Sequence, residues 1–240
     1  MGYELNGVNT GGIPMYLINH LIHYVEIPTL VECGTAGGDS TRIAAKHFEK
    51  VITIELIENR AVIDETIENV TWLTGHTVDL LPKIIDGLIA EKNKIPQPDK
   101  DVPVYNYAMF FIDSHYSDPE PNQSQFSECP LMEELDAIAR YQADAIIIID
   151  DARLFLGQPP APLNPTEWPS IHEIFIKLKT LYPHNYSTIT DDYIISLPER
   201  LREPIDAEWR GRFNIRYPNA ADKLKSEVKN VYSAFKNYIQ

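Results

Sequence analysis

Five carboxylates stand where apolar runs of this 240-residue chain end, and glycines break the first of those runs. Thr29-Leu30-Val31 closes on Glu32 and continues Cys33-Gly34-Thr35-Ala36-Gly37-Gly38-Asp39-Ser40-Thr41. Val51 to Ile54 closes on Glu55, Tyr107 to Ile112 on Asp113 with His115 two residues on, and Ala143 to Ile149 on Asp150-Asp151. A core does not hold unpaired acids, so the last of these strands must open into a polar site. Glycines let the backbone take positive φ and leave room for a ligand where a Cβ would stand. The N–H groups and dipole of a helix starting at Ser40-Thr41 suit a polar ligand.

The glycine spacing narrows the ligand. A dinucleotide loop needs G-x-G-x-x-G, but counted from Gly34 the second and third places hold Ala36 and Asp39. A phosphate-binding P-loop needs Gly-Lys-Ser/Thr, and Gly38-Asp39-Ser40 has an acid for the lysine. Glu32 repels pyrophosphate and can accept from the ammonium of an amino-acid-like ligand, which points to S-adenosylmethionine. The stretch Glu32 to Thr41 resembles the first motif of class I methyltransferases, in the E-x-G-T-x-x-G-x-S-T form of the metal-dependent O-methyltransferases related to catechol O-methyltransferase. The resemblance implies cofactor contacts at Glu32, Cys33, Gly34, Thr35, Gly38, Ser40 and Thr41. Glu55, 21 residues beyond Gly34, stands near the spacing at which a strand-end acid takes two ribose hydroxyls. Gly75-His76 turns into a helix where such enzymes build part of the adenine pocket; His76 either lines it or caps the helix.

Hydrophobic periodicity supplies the elements that position these residues. A loose arm, Met1 to Gly12, precedes a helix from Pro14 to Ile22. Strands are expected at Thr29–Glu32, Val51–Glu55, Thr71–Thr74, Tyr107–Ile112 and Ala143–Ile149, with helices over 41–48, 58–68, 78–91, 130–141 and 171–181. Tyr186–Thr190 and Tyr193–Leu197 form a hairpin-like pair. The expected fold is α/β: a doubly wound, seven-stranded, mostly parallel sheet with an antiparallel last strand. In such a sheet Asp113 and Asp150-Asp151 emerge side by side at the ligand edge. Clustered carboxylates raise one another's pKa unless a cation sits among them. Oxygen ligands with room for water suit Mg²⁺, with Mn²⁺ or Ca²⁺ as alternatives. The cluster resembles the metal site of catechol-type and macrolide-sugar O-methyltransferases, which assigns Asp113, Asp150 and Asp151 as ligands.

In-line methyl transfer needs an acceptor oxygen held in place and relieved of its proton. The catechol-type pattern has a lysine three positions after the first metal acid, but here Tyr116 stands there. Ile112 to Ser117 looks more like the I-D-x-x-H pattern of sugar-acting relatives, shortened by one residue, and His115 is the expected base beside Asp113. Five prolines between Arg153 and Pro169 make a stiff loop, read as a lid or acceptor wall with Phe155 and Trp168, or as a rigid crossover.

Composition sets outer bounds. A net charge of −14 disfavours nonspecific binding to nucleic acid or anionic membrane. Two cysteines, Cys33 and Cys129, fit reduced thiols in a reducing compartment, and no stretch reaches membrane-spanning length. The expected protein is soluble and cytoplasmic. The methyltransferase resemblance covers Pro14 to Pro198 and implies one domain over 1–198 with its N-terminal helix, while the extension 199–240 carries nine Lys/Arg against six Asp/Glu. A helix over Asp222–Ile239 in that extension suits docking on its own acidic body, pairing in a homo-oligomer, or acceptor binding. The expected reaction is methylation of a small-molecule hydroxyl, a sugar or glycosylated natural product by family likeness. The rivals are a nucleotide- or NAD-using enzyme on the same sheet and a noncatalytic binding or assembly protein.

Overall fold

In the computed structural model, which describes residues 3–5, 8–10, 12–58, 60–94, 107–116, 126–216, 225 and 229, the apolar runs pair into one seven-stranded sheet. Its strands are β3 (Thr29–Cys33), β4 (Lys50–Glu55), β5 (Val70–Thr74), β6 (Ala108–Ile112), β7 (Ala145–Ile149), β8 (Asn185–Thr190) and β9 (Tyr193–Pro198). They lie in the order β5-β4-β3-β6-β7-β9-β8. Pairing is parallel from β5 to β7, and β9 runs antiparallel to both its neighbours. This is the doubly wound sheet with an antiparallel last strand that the sequence predicts.

Burial explains the continuous apolar character of the central strands. Every residue of β3, β6 and β7 is buried, so both faces are covered and no polar alternation survives. Phe110, Ile112, Ile147 and Ile149 join one core with Leu81, Ile85 and Leu88 of α3 (Thr77–Lys92), Leu135 and Ile138 of α4 (Leu131–Ile138), and Ile174 and Leu178 of α5 (Ile171–Leu181). The intervening Met109, Phe111, Ile146 and Ile148 are equally buried on the opposite face, as the two-residue period of a strand requires. Helix α5 begins at a capping box in which Ser170 and Glu173 satisfy each other's backbone N–H, the expected start signal.

The sheet order creates a switch point. From β3 the chain winds outward through β4 and β5, then returns to place β6 on the other side of β3. Ligands of open α/β sheets bind at the carboxyl ends of strands beside such a reversal. The crevice therefore lies between the ends of β3 and β6, above Cys33 and Ile112.

Three expectations change. The loose arm contains two paired strands, β1 (Tyr3–Leu5) and β2 (Val8–Thr10). Asn6-Gly7 between them is a strong hairpin signal that the reading of the arm passed over. No helix forms over the described part of 58–68; the chain there is turns, bends and irregular segments. Asp64 Oδ1 accepts from both the backbone N–H and hydroxyl of Thr66, a local bond that competes with helix formation. The first loop helix is α2, Asp39–Ala44, starting two residues earlier than expected.

The chain divides into two compact units, Met1–Arg202 and Glu203–Gln240. A helix, α6 (Arg202–Arg216), opens the second. The expected helix over Asp222–Ile239 lies outside the described residues except for Lys225 and Lys229, both helical. Among the described residues no helix is long and apolar enough to cross a membrane.

Candidate functional site

Gly34 fixes how closely the strand ends approach. Its N–H donates to Ile54 O at 3.0 Å, while the Asp113 N–H donates to Cys33 O at 2.7 Å. Gly34 has φ +95°, and a Cβ there would sit 2.6 Å from the Asp113 carbonyl carbon and closer still to its oxygen. Only glycine fits. The close approach opens a cleft of about 110 Å³ over the carboxyl ends of β3, β4, β6 and β7, lined by Gly34, Glu55, His76, Asp113, His115 and Asp151 among others.

Glu55 is buried at one wall of the cleft. Its Oε2 accepts from the Ala36 N–H at 2.8 Å and its Oε1 from the Ile57 N–H at 3.0 Å. Each oxygen keeps a second lone pair for a hydroxyl, so the glycine loop presents a fixed acceptor to the cleft. Opposite, His76 precedes α3 and stacks on Phe126 at 4.7 Å. Its Nε2 is buried without a hydrogen-bond partner among the described residues, and a ligand atom in the cleft would relieve that cost. His76 thus lines the cleft, and its side chain does not cap the helix.

The acids at β6 and β7 divide into two roles. Ligand atoms of Asp113, His115 and Asp151 lie within 4.8 Å of one another, the metal-capable group among the described residues. His115 Nε2 is 3.2 Å from Asp151 Oδ2 and 3.8 Å from Asp113 Oδ1. Burial pushes the Asp113 carboxyl well above its ordinary pKa, and the charges of Asp150 and Asp151 push it further. Burial also acts on Asp151, but His115 and Arg153 outweigh it and hold that carboxyl below its ordinary value. Two carboxylates and an imidazole can hold a divalent cation: the carboxylates suit Mg²⁺ or Mn²⁺, while the imidazole suits a transition ion better than Mg²⁺.

Asp150, expected as the third ligand, stands apart from this group. Its Oδ2 accepts from the Gly12 N–H at 3.0 Å and its Oδ1 from the Asp151 N–H at 2.7 Å. It is 1% exposed, and burial, reinforced by Asp151, pushes its pKa up to about 7. Of the Asp150-Asp151 pair Asp151 lines the cleft, while the charge of Asp150 still reaches Asp113. Asp150 instead holds the N-terminal segment, which a second bond, Tyr193 hydroxyl to Gly12 O at 2.8 Å, secures.

Several loop residues also take structural roles. Glu32 is fully buried and accepts from the hydroxyls of Ser40 at 2.7 Å, Thr41 at 2.5 Å and Thr53 at 2.6 Å. Those three hydroxyls occupy the carboxylate that was expected to meet an ammonium, and Ser40 and Thr41 are spent on it. Cys33 is buried within β3, and Thr35 turns its hydroxyl to Thr53 at 2.6 Å. Gly38 packs on the Trp72 ring, where a Cβ would stand 3.0 Å from the ring edge. Gly75 donates its N–H to Glu55 O at 2.8 Å and supports the cleft wall from outside the lining. Of the expected cofactor residues, the cleft brings together Gly34, Glu55, His76 and Asp113.

The proline-rich loop is a fixed support. Trp168 and Phe155 are buried and make edge contacts with His115, at 5.3 and 5.9 Å between ring centres. Glu128 Oε2 accepts from Trp168 Nε1 at 3.0 Å and from the Asn164 N–H at 2.7 Å. The two aromatic rings therefore brace His115 and do not offer flat faces to an acceptor. Sequence reading also missed Glu134, fully buried in α4, which accepts from the Ser114 hydroxyl at 2.7 Å and steadies the Asp113–His115 loop. Its spacing carries the signal: Glu134 stands three residues after Leu131 and four before Ile138, on the apolar face of α4.

No family model matches the chain, and no curated protein matches it. Solved structures similar to it are methyltransferases. Human methyltransferase-like protein 13, in complex with SAH, has a TM-score of 0.43 at 16% identity, with 86% of this chain and 90% of that one covered. Precorrin-6y C5,15-methyltransferase from Geobacter metallireducens gives 0.43 at 12%, covering 82% and 96%. The N-methyltransferase NodS from Bradyrhizobium japonicum gives 0.41 at 10%, covering 77% and 94%. Likenesses of this strength carry no weight on chemistry, which the residues of the cleft must supply.

Proposed function

We propose that the protein is an S-adenosylmethionine-dependent O-methyltransferase that acts on a small-molecule hydroxyl with a divalent cation, Mg²⁺ or Mn²⁺, at Asp113, His115 and Asp151. One observation carries the reading: at the sheet's switch point a glycine-tight crossing, a ribose-ready Glu55, a His76 Nε2 without a partner among the described residues and the Asp113–His115–Asp151 group share one cleft. A nucleoside seated between Glu55 and His76 puts its substituent chain over Gly34, toward the acids. With Glu32 engaged inside the protein, Asp113 is the acid left to meet an ammonium or sulfonium charge.

The reaction asks little covalent work of the protein. The acceptor hydroxyl gives up its proton to solvent, its oxygen forms a bond to the methyl carbon as the carbon–sulfur bond breaks, and the electron pair leaves with the sulfide. A cation at the site supplies positive charge that makes an acceptor hydroxyl more acidic. The chain holds the reactants in line and, through Phe155 and Trp168, keeps His115 in a fixed orientation. His115 Nε2 faces both carboxylates, so one atom cannot serve at once as metal ligand and as proton acceptor. The expected base role of His115 therefore belongs to a metal-free second reading, favoured by its 3.2 Å contact with Asp151.

Calorimetric titration of S-adenosylhomocysteine, with and without Mg²⁺, tests these readings on the wild type and Asp151→Asn. Cofactor binding with a Mg²⁺ heat that Asp151→Asn removes is the expected result. Cofactor binding with no metal heat leaves the metal-free reading, and no cofactor binding refutes both.

A further inference from the structure

We propose that Arg153 and Asp192 form an outer clamp that sets the Asp151 carboxylate for a divalent cation, with Arg153 as the positioning residue. This rests on the cation reading above. Asp151 has φ +55°, in the left-handed region that a non-glycine residue keeps only when its surroundings hold it. One end of its carboxylate is held from outside the cation group: Oδ1 takes Arg153 Nη1 at 2.7 Å, while Oδ2 lies 3.2 Å from His115, its fellow ligand. The same Nη1 pairs with Asp192 Oδ2.

Asp192 belongs to the turn between β8 and β9, and it grips the segment after β7 by more than charge. Its Oδ1 accepts from the Arg153 N–H at 2.9 Å, and its carbonyl accepts from the Ala152 N–H at 2.8 Å. Asp192 is thereby fixed before any guanidinium contact is made, and Arg153 transmits that fixed point to Asp151.

A cation beside another cation needs an explanation, and the charge count provides it. Asp192 cancels Arg153, which leaves the charges of Asp113 and Asp151 for a divalent ion. The Arg153 side chain is 52% exposed, so solvent and salt screen its repulsion. Loss of a partner that orients a metal ligand costs about 10- to 100-fold in affinity, more than a screened charge returns. Orientation should win.

Mn²⁺ binding to the full chain, followed by the electron paramagnetic resonance signal of the free ion, tests this on wild type, Arg153→Gln, Arg153→Lys and Asp192→Asn. Arg153→Gln is expected to weaken Mn²⁺ binding by about 10- to 100-fold. Arg153→Lys keeps the charge but lacks the planar fork and should also weaken it at least several-fold. Asp192→Asn, whose side chain does not reach the cation group, should weaken it as well. Equal or tighter binding by Arg153→Gln overturns the clamp and makes Arg153 a bystander or competitor. Wild-type affinity in Arg153→Lys overturns it too, because charge alone then suffices. If the wild type binds no Mn²⁺, the cation reading fails and the clamp with it; cofactor binding is judged separately.

Discussion

Gly34→Ala should cost more than any other single methyl added to the glycine loop. An alanine at φ +95° pays a backbone penalty of about 1–2 kcal/mol. The added carbon would stand 2.6 Å from the Asp113 carbonyl carbon and 3.1 Å from the Ser114 nitrogen. Both are backbone atoms of the β6 exit, so no side chain can turn aside. Separating the strands stretches the Asp113 N–H to Cys33 O bond, and leaving those buried groups unpaired costs about 1–3 kcal/mol. The total is about 2–5 kcal/mol, a large part of the roughly 5–15 kcal/mol that holds a domain together. Urea unfolding followed by circular dichroism measures it, with Gly37→Ala as control: a Cβ there meets nothing within 4 Å, and its stability should stay within about 0.5 kcal/mol of the wild type. S-Adenosylhomocysteine binding should fall with Gly34→Ala under folded conditions, because Asp113 moves with its backbone. A Gly34→Ala protein within about 1 kcal/mol of wild type refutes the reasoning.

Glu32→Gln should alter the dependence of stability on pH. Burial raises the folded-state pKa of Glu32, chiefly against the pull of three hydroxyl donors. Its stabilising contribution is therefore full below the unfolded pKa and is lost as pH rises through the folded one. The glutamine variant should not suffer that loss, so its stability relative to wild type should rise between pH 4 and pH 8 in urea titrations; an unchanged difference counts against a raised pKa. Asp150→Asn keeps one acceptor oxygen for two backbone donors, Gly12 and Asp151. It should destabilise by about 1–3 kcal/mol and speed amide exchange around residues 12–16, seen by hydrogen-exchange mass spectrometry.

The parts of the fold legible in the sequence are those where burial leaves a one-dimensional trace. Four consecutive isoleucines in β7 and the near-continuous apolar run of β6 announce strands covered on both faces, and Ser170-x-x-Glu173 announces the start of α5. The helix expected over 58–68 failed because helical spacing was weighed without the Asp64–Thr66 bond that competes with it. At the site, chain order located the acids but not the side each one faces. Glu32 is in direct register with Thr53 on β4, so its third hydroxyl partner exists only once the strands pair. Asp150 and Asp151 differ by one position, and what separates them is Gly12, far off at the other end of the unit. The clamp of Asp192 on Arg153 likewise depends on β9 lying beside β7.

The place of β9 also bears on how a ribosome must deliver this chain. β9 is synthesised after every other described strand, yet it lies inside the sheet, between β7 and β8. β8 emerges first and has no partner in the sheet until β9 arrives. Until then the isoleucine-rich β7 presents an open edge, the kind of surface on which nascent chains associate. Gly12, made well before Tyr193, waits through the same interval for its hydroxyl. Translation stalled before residue 192 would thus release an aggregation-prone intermediate lacking the Asp192 clamp, while translation carried through Pro198 closes the sheet and secures the N-terminal segment in one late step.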